Sequence, residues 1–223
     1  MEKIEIIYQV LEKLNIHSDD TRITEELVSS LIDTKRAMLL KQMYAKSAWN
    51  IPTEIKQELC LGLTLTNKVD GYSCAGKILT TQVLPASIKI KGKEGPLLVR
   101  IEDGSVISLN RIAIERMPYL FENRYLQNVT YCAEDLSGRL LIISNSDKYK
   151  FLKSIKVTDV FAKPDEALKL SCNYDSSIDD VWKQPYACEM GMIDNIVNLV
   201  VKDLLRTVQI PSDNKNDALD DRR

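Results

Sequence analysis

Apolar positions in the first 47 residues recur three or four apart, and this spacing predicts two amphipathic helices joined by a short polar link. Thr24 is the predicted N-cap of the second helix, with Glu25 and Glu26 in the first turn, where the helix dipole favours carboxylates. We expect the two helices to form an antiparallel hairpin. The face predicted to be buried on the first helix consists of Ile4, Ile7, Tyr8, Leu11 and Leu14.

The second predicted helix is expected to bury a broad apolar stripe and to leave its basic side chains, Lys35, Arg36 and Lys41, in solvent. A stripe of this kind packs against the rest of the protein. It comprises aliphatic and methionine residues, namely Leu27, Val28, Leu31, Ile32, Met38, Leu39 and Met43.

The hydrophobic period changes to alternation after residue 57. Leu59, Leu61, Leu63 and Leu65 alternate with smaller or polar residues, which is typical of one half-buried strand. Turn sequences then separate further short apolar segments, which predict two hairpins and one or two final strands. The hairpins pair IKIK (88–91) with LLVRI (97–101) and NVTYCA (128–133) with RLLIIS (139–144), and the final strand or strands lie in KFLKSIKVTDVF (150–161).

The predicted elements run in the order helices, strands, helix, and this segregation indicates an α+β fold. We expect an N-terminal helical hairpin and a C-terminal helix packed with a mostly antiparallel β region. The hairpin occupies residues 2–47, the β region 57–163 and the last helix 188–208. Together they are predicted to form a single domain, residues 1–210, followed by a polar C-terminal tail, residues 211–223.

The last helix carries more apolar surface than a single contact requires. From Met190 to Val208 the apolar arc is broad and the polar arc is narrow, whereas a surface helix needs an apolar stripe only a little over about 100° wide. Either the rest of the domain nearly surrounds this helix, or part of the arc faces another subunit. The candidate residues for such a subunit interface are Met192, Ile196, Leu199, Val201 and Leu205.

The tail, PSDNKNDALDDRR, is polar apart from Leu219 and an alanine, so it cannot form a core of its own. Two interpretations remain open, namely a disordered end and a segment that becomes ordered on a partner. In the second interpretation, the candidate docking residues are Pro211, Asp213, Asn214, Asn216 and Asp217.

The formal net charge is −2, so no global electrostatic field draws the protein to nucleic acid or to anionic lipid. Locally, Lys89, Lys91 and Lys93 would place three positive charges on one face of a strand. This face is either solvated or in contact with DNA or another anionic partner. The tyrosines are too scattered to indicate a stacking platform for single-stranded nucleic acid.

Catalytic and cofactor-binding motifs are missing from the sequence. The single histidine, His17, lies in the polar link between the first two helices, and no glycine-rich phosphate-binding motif occurs. The five cysteines form no CxxC pair, so we expect buried free thiols in a reducing compartment, with no metal site and no cofactor. We also expect no signal peptide and no membrane-spanning helix.

Several stretches, taken in order, resemble one family of phage proteins. They are LIDTKRAMLLKQMYAK, IPTEIKQELCLGLTL, VLPASIKI, VFAKPDEALKL, PYACEMGMIDNIVNLVVKDLL and the terminal PSDNKND. This layout resembles the small virion proteins of crAss-like and related tailed bacteriophages, the ring or head–tail connector proteins of the neck. The resemblance covers nearly the whole chain.

The resemblance implies a structural role without catalysis. Such proteins form a homo-oligomeric ring, typically a dodecamer, that docks beneath the portal and continues the DNA channel towards the tail. The implied partners are copies of the chain itself, the portal, other neck or tail proteins and DNA that passes without sequence recognition, with no membrane. The protein would be made in the host bacterial cytoplasm and would reside in the virion.

Two other functions compete with this interpretation. The first is a monomeric regulatory or nucleic-acid-binding module that uses the β region, with Lys89, Lys91 and Lys93 as its contact surface. The second is an enzyme with an unrecognised motif, which would require a pocket with convergent polar groups.

Overall fold

The computed structural model describes residues 1–14, 23–45, 51–69, 72–89, 96–101, 109–122, 125, 129–144, 152–172, 174 and 180–208. Helices lie at both ends of this range and strands lie between them, so the fold is α+β, as predicted. The helices are α1 (Lys3–Lys13), α2 (Glu25–Met43), α3 (Met117–Glu122), α4 (Pro164–Leu168) and α5 (Met190–Val208).

The helices α1, α2 and α5 share one apolar core. Thr24 caps α2 as predicted, because its hydroxyl oxygen accepts a hydrogen bond from the Leu27 amide at 3.3 Å. The core side chains come from all three helices and from a few flanking segments. From the helices they are Ile6, Ile7, Val10, Val28, Ile32, Leu40, Met192, Ile193, Ile196, Val197, Val200 and Leu204.

The buried faces of α1 and α2 differ from the predicted ones. On α1, Tyr8 is 53% exposed, and Lys3 is buried on the same face as Ile7 and Val10. On α2, the predicted solvent position of Arg36 is wrong, because this side chain is fully buried. Residues four apart lie on one side of a helix, and on α2 the side that faces the core carries Val28, Ile32, Arg36 and Leu40.

In the described residues, two sheets form the β region. One has three strands in the order β1-β8-β4, and the other has five in the order β2-β3-β7-β6-β5. All neighbouring strands are antiparallel except β5 and β6, which are parallel. The strands are β1 (Gln57–Gly62), β2 (Thr64–Val69), β3 (Tyr72–Val83), β4 (Leu98–Ile101), β5 (Asn110–Arg111), β6 (Thr130–Glu134), β7 (Arg139–Ser144) and β8 (Ser154–Asp159).

The centre of the five-stranded sheet, at β7, is covered on both faces. Leu140 and Ile142 of β7 belong to an apolar cluster shared with the three-stranded sheet, whereas Leu141 and Ile143 pack in a cluster with Met117 and Leu120 of α3. A strand that is buried on both sides reads as a continuous apolar run. This explains why the sequence LLII shows no alternation.

One predicted strand and one predicted hairpin are wrong. Leu59 and Leu61 belong to β1 and Leu65 belongs to β2 in the other sheet, with Leu63 between the two strands, and Leu65 is 62% exposed. β4 pairs with β8 and not with the segment around Ile88, whose amide donates to the Val160 carbonyl at 2.9 Å. Both errors have the same cause, because alternation reports strands without reporting their partners.

The hairpin of β6 and β7 is confirmed. Asp135 Oδ1 accepts hydrogen bonds from the Ser137 and Arg139 amides at 2.9 and 2.8 Å, which stabilises the turn. Gly138 has a φ of 77°, in the left-handed region that residues with a Cβ rarely adopt. The Ser-Gly pair in the sequence therefore marked a real turn.

The expectation that all cysteines are free thiols is also wrong. Cys60 of β1 and Cys172, which follows α4, form a disulfide with a Cα–Cα distance of 4.9 Å. The two segments run side by side, because the Cys60 amide donates to the Leu170 carbonyl at 3.0 Å. Cys132 and Cys188 are free.

Candidate functional site

A cluster of charged side chains lies where the helices meet the β region. Lys3 Nζ of α1 lies 2.9 Å from Asp33 Oδ2 of α2 and 2.6 Å from Asp165 Oδ2 of α4. Tyr186, in the segment before α5, donates its hydroxyl hydrogen to Asp33 Oδ1 at 2.7 Å. A buried ammonium group is tolerated when carboxylates compensate its charge, and these contacts join four parts of the chain.

Arg36 of α2 extends the charged cluster towards the sheets. Its Nε donates to the Ala187 carbonyl at 2.6 Å, and its NH1 donates to the Phe161 carbonyl at 2.8 Å. The guanidinium carbon lies 5.7 Å from the centroid of the Tyr186 ring, within the range of a cation–π contact. Arg36 thus ties α2 to the segment after β8 and to the segment before α5.

Burial governs the titration of the charged cluster. It raises the pKa of Asp33 above its ordinary value, although the hydrogen bonds from Lys3 and Tyr186 act in the opposite direction. Burial also raises the pKa of Tyr186 well above its ordinary value and lowers the pKa of Arg36. These shifts follow from the removal of ionisable groups from water.

A groove lies beside the charged cluster, between α2, α4 and the 3₁₀ turn Val181–Lys183. Its volume is about 730 Å³. Met38 and Trp182 contribute apolar surface, and Asp33 and Asp165 of the charged cluster also line the groove. Among the lining residues that the structure describes there is no histidine or cysteine. The groove therefore has the mixed apolar and charged character of a protein contact surface.

The predicted interface residues of α5 separate into buried and accessible ones. Met192 and Ile196 lie in the helical core and offer no surface to a second subunit. Leu199 and Val201 are half-buried, and Leu205 is 39% exposed. At about 100° per residue, Leu199 and Val201 point about 200° apart around the helix. The structure therefore leaves two separate accessible edges on α5 in place of one continuous face.

Polar contacts flank both edges of α5. Lys13 of α1 donates to Asn198 Oδ1 at 3.1 Å, and Lys35 of α2 forms an ion pair with Asp203. The neighbouring carboxylate–ammonium contact lowers the pKa of Asp203. Of the two alternatives for α5, its own chain covers most of the apolar arc.

The predicted anion-facing lysines and docking residues are only partly described. Lys89 is exposed and lies outside the named strands, whereas Lys91 and Lys93 lie outside the described residues. The candidate docking residues Pro211, Asp213, Asn214, Asn216 and Asp217 also lie outside the described residues, as does His17.

Neither a metal site nor a membrane span is found in the part of the chain that the structure describes. No group of three or more histidine, cysteine, aspartate or glutamate side chains there is arranged to hold a metal ion. No helix in these ranges is both long and apolar enough to cross a bilayer.

Sequence reasoning missed the charged cluster because its members were assigned to solvent or not considered. For each of the two buried cations, the helical spacing in the sequence could have indicated burial. Lys3 lies four residues before Ile7, and Arg36 lies four residues from both Ile32 and Leu40. A cation at a core position of a helical repeat indicates a buried partner elsewhere in the chain.

Comparison with known proteins gives two matches along nearly the whole chain. The model of a family described as phage tail ring protein 2 matches residues 5–222. Ring protein 2 of Bacteroides phage crAss001 is 28% identical over 220 residues, which cover 97% of this chain and 96% of that relative. The resemblance noted in the sequence is confirmed, and the match includes every helix and strand except the first residues of α1.

Proposed function

The chain belongs to the phage tail ring protein 2 family, and from this premise we propose that it forms a ring in the virion neck that connects the portal to the tail. As a family member it is a structural tail protein of a bacteriophage virion. We further propose a homo-oligomer of about twelve copies that continues the DNA channel. Its subunits would be made in the cytoplasm of the host bacterium, and the role requires no catalysis.

One observation of the geometry supports assembly, namely apolar surface on α2 that the chain leaves uncovered. Leu27 is 43% exposed, and Met38, about 20° away around the helix axis, is 36% exposed and lines the groove beside α4. Apolar surface next to a concavity is typical of a protein contact. In a ring, each copy would cover this surface on the next copy.

We assign the α5 contribution to its two accessible edges. Leu199 would contact one neighbour, and Val201 with Leu205 would contact the other, because a ring subunit presents different surfaces to its two neighbours. Met192 and Ile196 would support this helix from within. Residues 1–210 would act as one domain, and the tail 211–223 as a docking arm for another neck subunit.

DNA would pass through such a ring without being recognised. The net charge of −2 suits a conduit, because a strongly basic lumen would hold the phosphate backbone and impede ejection. Lys89 remains a candidate for the channel surface, together with Lys91 and Lys93.

Light scattering of the purified protein, alone and mixed with the portal of the same phage, tests the proposed ring. We expect a mass near twelve times that of the 25.4 kDa subunit, either alone or on the portal. A monomer that ignores the portal would contradict the proposal. Salt-dependent DNA binding by that monomer, weakened by Lys89→Gln, would instead indicate a nucleic-acid-binding module.

A further inference from the structure

A second concave surface lies at the end of the β region that is remote from α4. The ends of β1 and β3, the starts of β2 and β7 and the residue before Ser154 enclose about 600 Å³. Gln57, at the start of β1, donates to the Pro164 carbonyl at 3.0 Å, whereas Gly62, at the other end of the same strand, lines this pocket. The strand rise of about 3.3 Å per residue separates the two ends by roughly 16 Å.

Two cations, Arg139 and Lys153, line this pocket. The side chains of Arg139 and Lys153 are exposed and form no hydrogen bond or ion pair with any residue that the structure describes. No carboxylate occurs among the described lining residues. An arginine and a lysine that share a concavity favour an anionic ligand, because each forms charge-assisted hydrogen bonds with carboxylate or phosphate oxygens.

The threonines of the pocket have already used their hydroxyl hydrogens. Thr64 donates to the Thr80 carbonyl at 3.3 Å, and Thr81 donates to the Gln82 carbonyl at 2.7 Å. The Thr81 oxygen also accepts a hydrogen bond from the Leu140 amide at 3.0 Å. The charged donors for a ligand are therefore Arg139 and Lys153.

An apolar wall distinguishes this pocket from a simple phosphate site. Val83 is 52% exposed and lines the pocket together with Leu63. β2, which starts at the pocket, has a described strand neighbour on one side only. An edge strand beside a pocket is suited to an extended peptide. The matching peptide would combine an aliphatic side chain with flanking carboxylates.

The chain itself contains such a peptide. In DALDD (217–221), Leu219 lies between Asp217 and Asp220, and the whole segment 211–223 contains four aspartates, one lysine and two arginines, so its carboxylates are concentrated around Leu219. We propose that the C-terminal segment 211–223 of a neighbouring copy docks in this pocket. Leu219 contacts Val83 and Leu63, and the aspartates pair with Arg139 and Lys153.

This inference rests on the proposed ring and names the receptor of its docking arm. The segment continues from α5 in the helical region, and the pocket lies at the opposite end of β1, so one copy presents two different surfaces. A contact between two different surfaces is heterologous, and it closes into a ring when the rotation permits. DNA phosphates would also satisfy the two cations, but they would leave the apolar wall uncovered.

Charge reversal in full-length chains tests the docking. One variant carries Arg139→Glu and Lys153→Glu, and the other carries Asp217→Lys, Asp220→Lys and Asp221→Lys. Each variant alone is expected to lose at least tenfold in the assembled fraction measured by light scattering, because like charges then face each other. An equimolar mixture should regain assembly, since each tail then meets a pocket of opposite charge.

The controls separate docking from folding and from general charge effects. Arg116→Glu with Lys169→Glu makes the same change in net charge as Arg139→Glu with Lys153→Glu, at exposed positions outside both concave surfaces, and should leave assembly unchanged. Circular dichroism and thermal unfolding check that every variant is folded. If both sets of reversals in one chain restore assembly but the mixture does not, the segment docks within its own copy and the proposal is wrong.

A peptide-binding experiment tests the docking independently of ring formation. A fluorescein-labelled peptide of residues 211–223 should bind the full chain with saturable anisotropy, and Arg139→Glu with Lys153→Glu should weaken this binding at least tenfold. If Arg139→Glu with Lys153→Glu weakens the binding of duplex DNA but not of the peptide, the pocket binds DNA and the docking proposal is wrong.

The assembly outcomes separate the docking from the ring. If the charge-reversed variants assemble like the unmodified chain, the docking proposal is wrong and the proposed ring is unaffected. If the unmodified chain stays monomeric with the portal, the ring fails, and peptide binding alone decides the docking.

Discussion

The helical core and the sheet interior of this protein contain different kinds of side chain. Where α1, α2 and α5 meet the β region, a lysine and an arginine are buried with two carboxylates and a tyrosine hydroxyl nearby. The described strands bury mainly apolar side chains, and their buried polar side chains are Thr81, Thr130 and Asp159, with no cation among them. Apolar packing tolerates many alternative residues, whereas a buried charge requires particular partners at particular distances. The two regions should therefore respond differently to substitution.

Removal of the buried ammonium group should have the largest effect. We expect Lys3→Met to lower the free energy of unfolding by about 3–5 kcal/mol, because Asp33 and Asp165 lose their cation. Urea unfolding followed by circular dichroism measures this change. Lys13→Met, on the same helix but exposed, should cost less than about 1 kcal/mol. Equal effects of the two substitutions would show that the charged cluster does not hold the helices to the β region.

A cavity in the doubly covered centre of the five-stranded sheet should cost somewhat less. We expect Ile142→Ala to lower the free energy of unfolding by about 2–5 kcal/mol, because the neighbours of a fully buried side chain collapse only partly. Leu136→Ala, in the exposed turn before β7, should change it by less than about 0.5 kcal/mol. If Ile142→Ala is as mild as Leu136→Ala, the centre of the five-stranded sheet is not covered on both faces.

A double variant with Lys3→Met and Ile142→Ala tests whether the charged cluster and the sheet interior contribute independently to stability. Changes at distant sites without shared partners add within about 0.5 kcal/mol. Unfolding of the chain with both Lys3→Met and Ile142→Ala should therefore show the sum of the single effects. A large departure from the sum would show that the charged cluster and the sheet interior are coupled through Phe161, whose carbonyl accepts from Arg36.

A backbone substitution in the β6–β7 turn should have a smaller effect. We expect Gly138→Ala to cost about 1–2 kcal/mol, because its φ of 77° is unfavourable for a residue with a Cβ. The added Cβ would meet Val83 Cγ1 at 3.8 Å, an ordinary contact, so crowding adds nothing. Gly62→Ala, with no atom within 4 Å of its new Cβ, is the matched control and should be close to neutral. A neutral Gly138→Ala would mean that the turn relaxes.

We expect the smallest difference between the two regions in the alkylation rates of their free thiols, Cys132 in β6 and Cys188 before α5. Burial raises the pKa of Cys132 and of Cys188 to about 11, so at pH 8 both are almost entirely protonated. Alkylation of each should be at least about a hundredfold slower in the folded chain than in urea, where the thiol pKa is about 8.5. Peptide mass spectrometry resolves the two sites. Cys188 should react before Cys132, because it is less buried, and the reverse order would contradict the described packing.

Local signals in the sequence predicted the elements and much of their order. The helical period gave α5, and the Ser-Gly turn gave the hairpin of β6 and β7, because each signal lies within one segment. The charged cluster could not be predicted in this way, since Lys3, Asp33 and Asp165 come together only through tertiary packing. The same holds for Cys60 and Cys172, which are 112 residues apart in sequence.

The candidate contact surfaces show the same limit. Periodicity identified α5 as unusually apolar, but it did not show which part of the arc the chain itself covers. Met192 and Ile196 face α1 and α2, a fact that depends on the rotation of one helix against two others. The pocket lined by Arg139 and Lys153 depends on the strand order. The alternation of leucines at 59–65 predicted one continuous strand and gave no information on that order.

The disulfide between Cys60 and Cys172 also determines how the chain carries mechanical force. In the oxidised chain, tension applied through the N-terminal helices and α5 passes across the covalent bond from β1 to the segment after α4. The residues between the two cysteines, which include β2 to β8, are then outside the load-bearing path. A pull on the ends can separate the helices from one another, but it cannot extend the intervening strands. The strands from β2 to β8 would thus stay folded under a load that unravels the helical end.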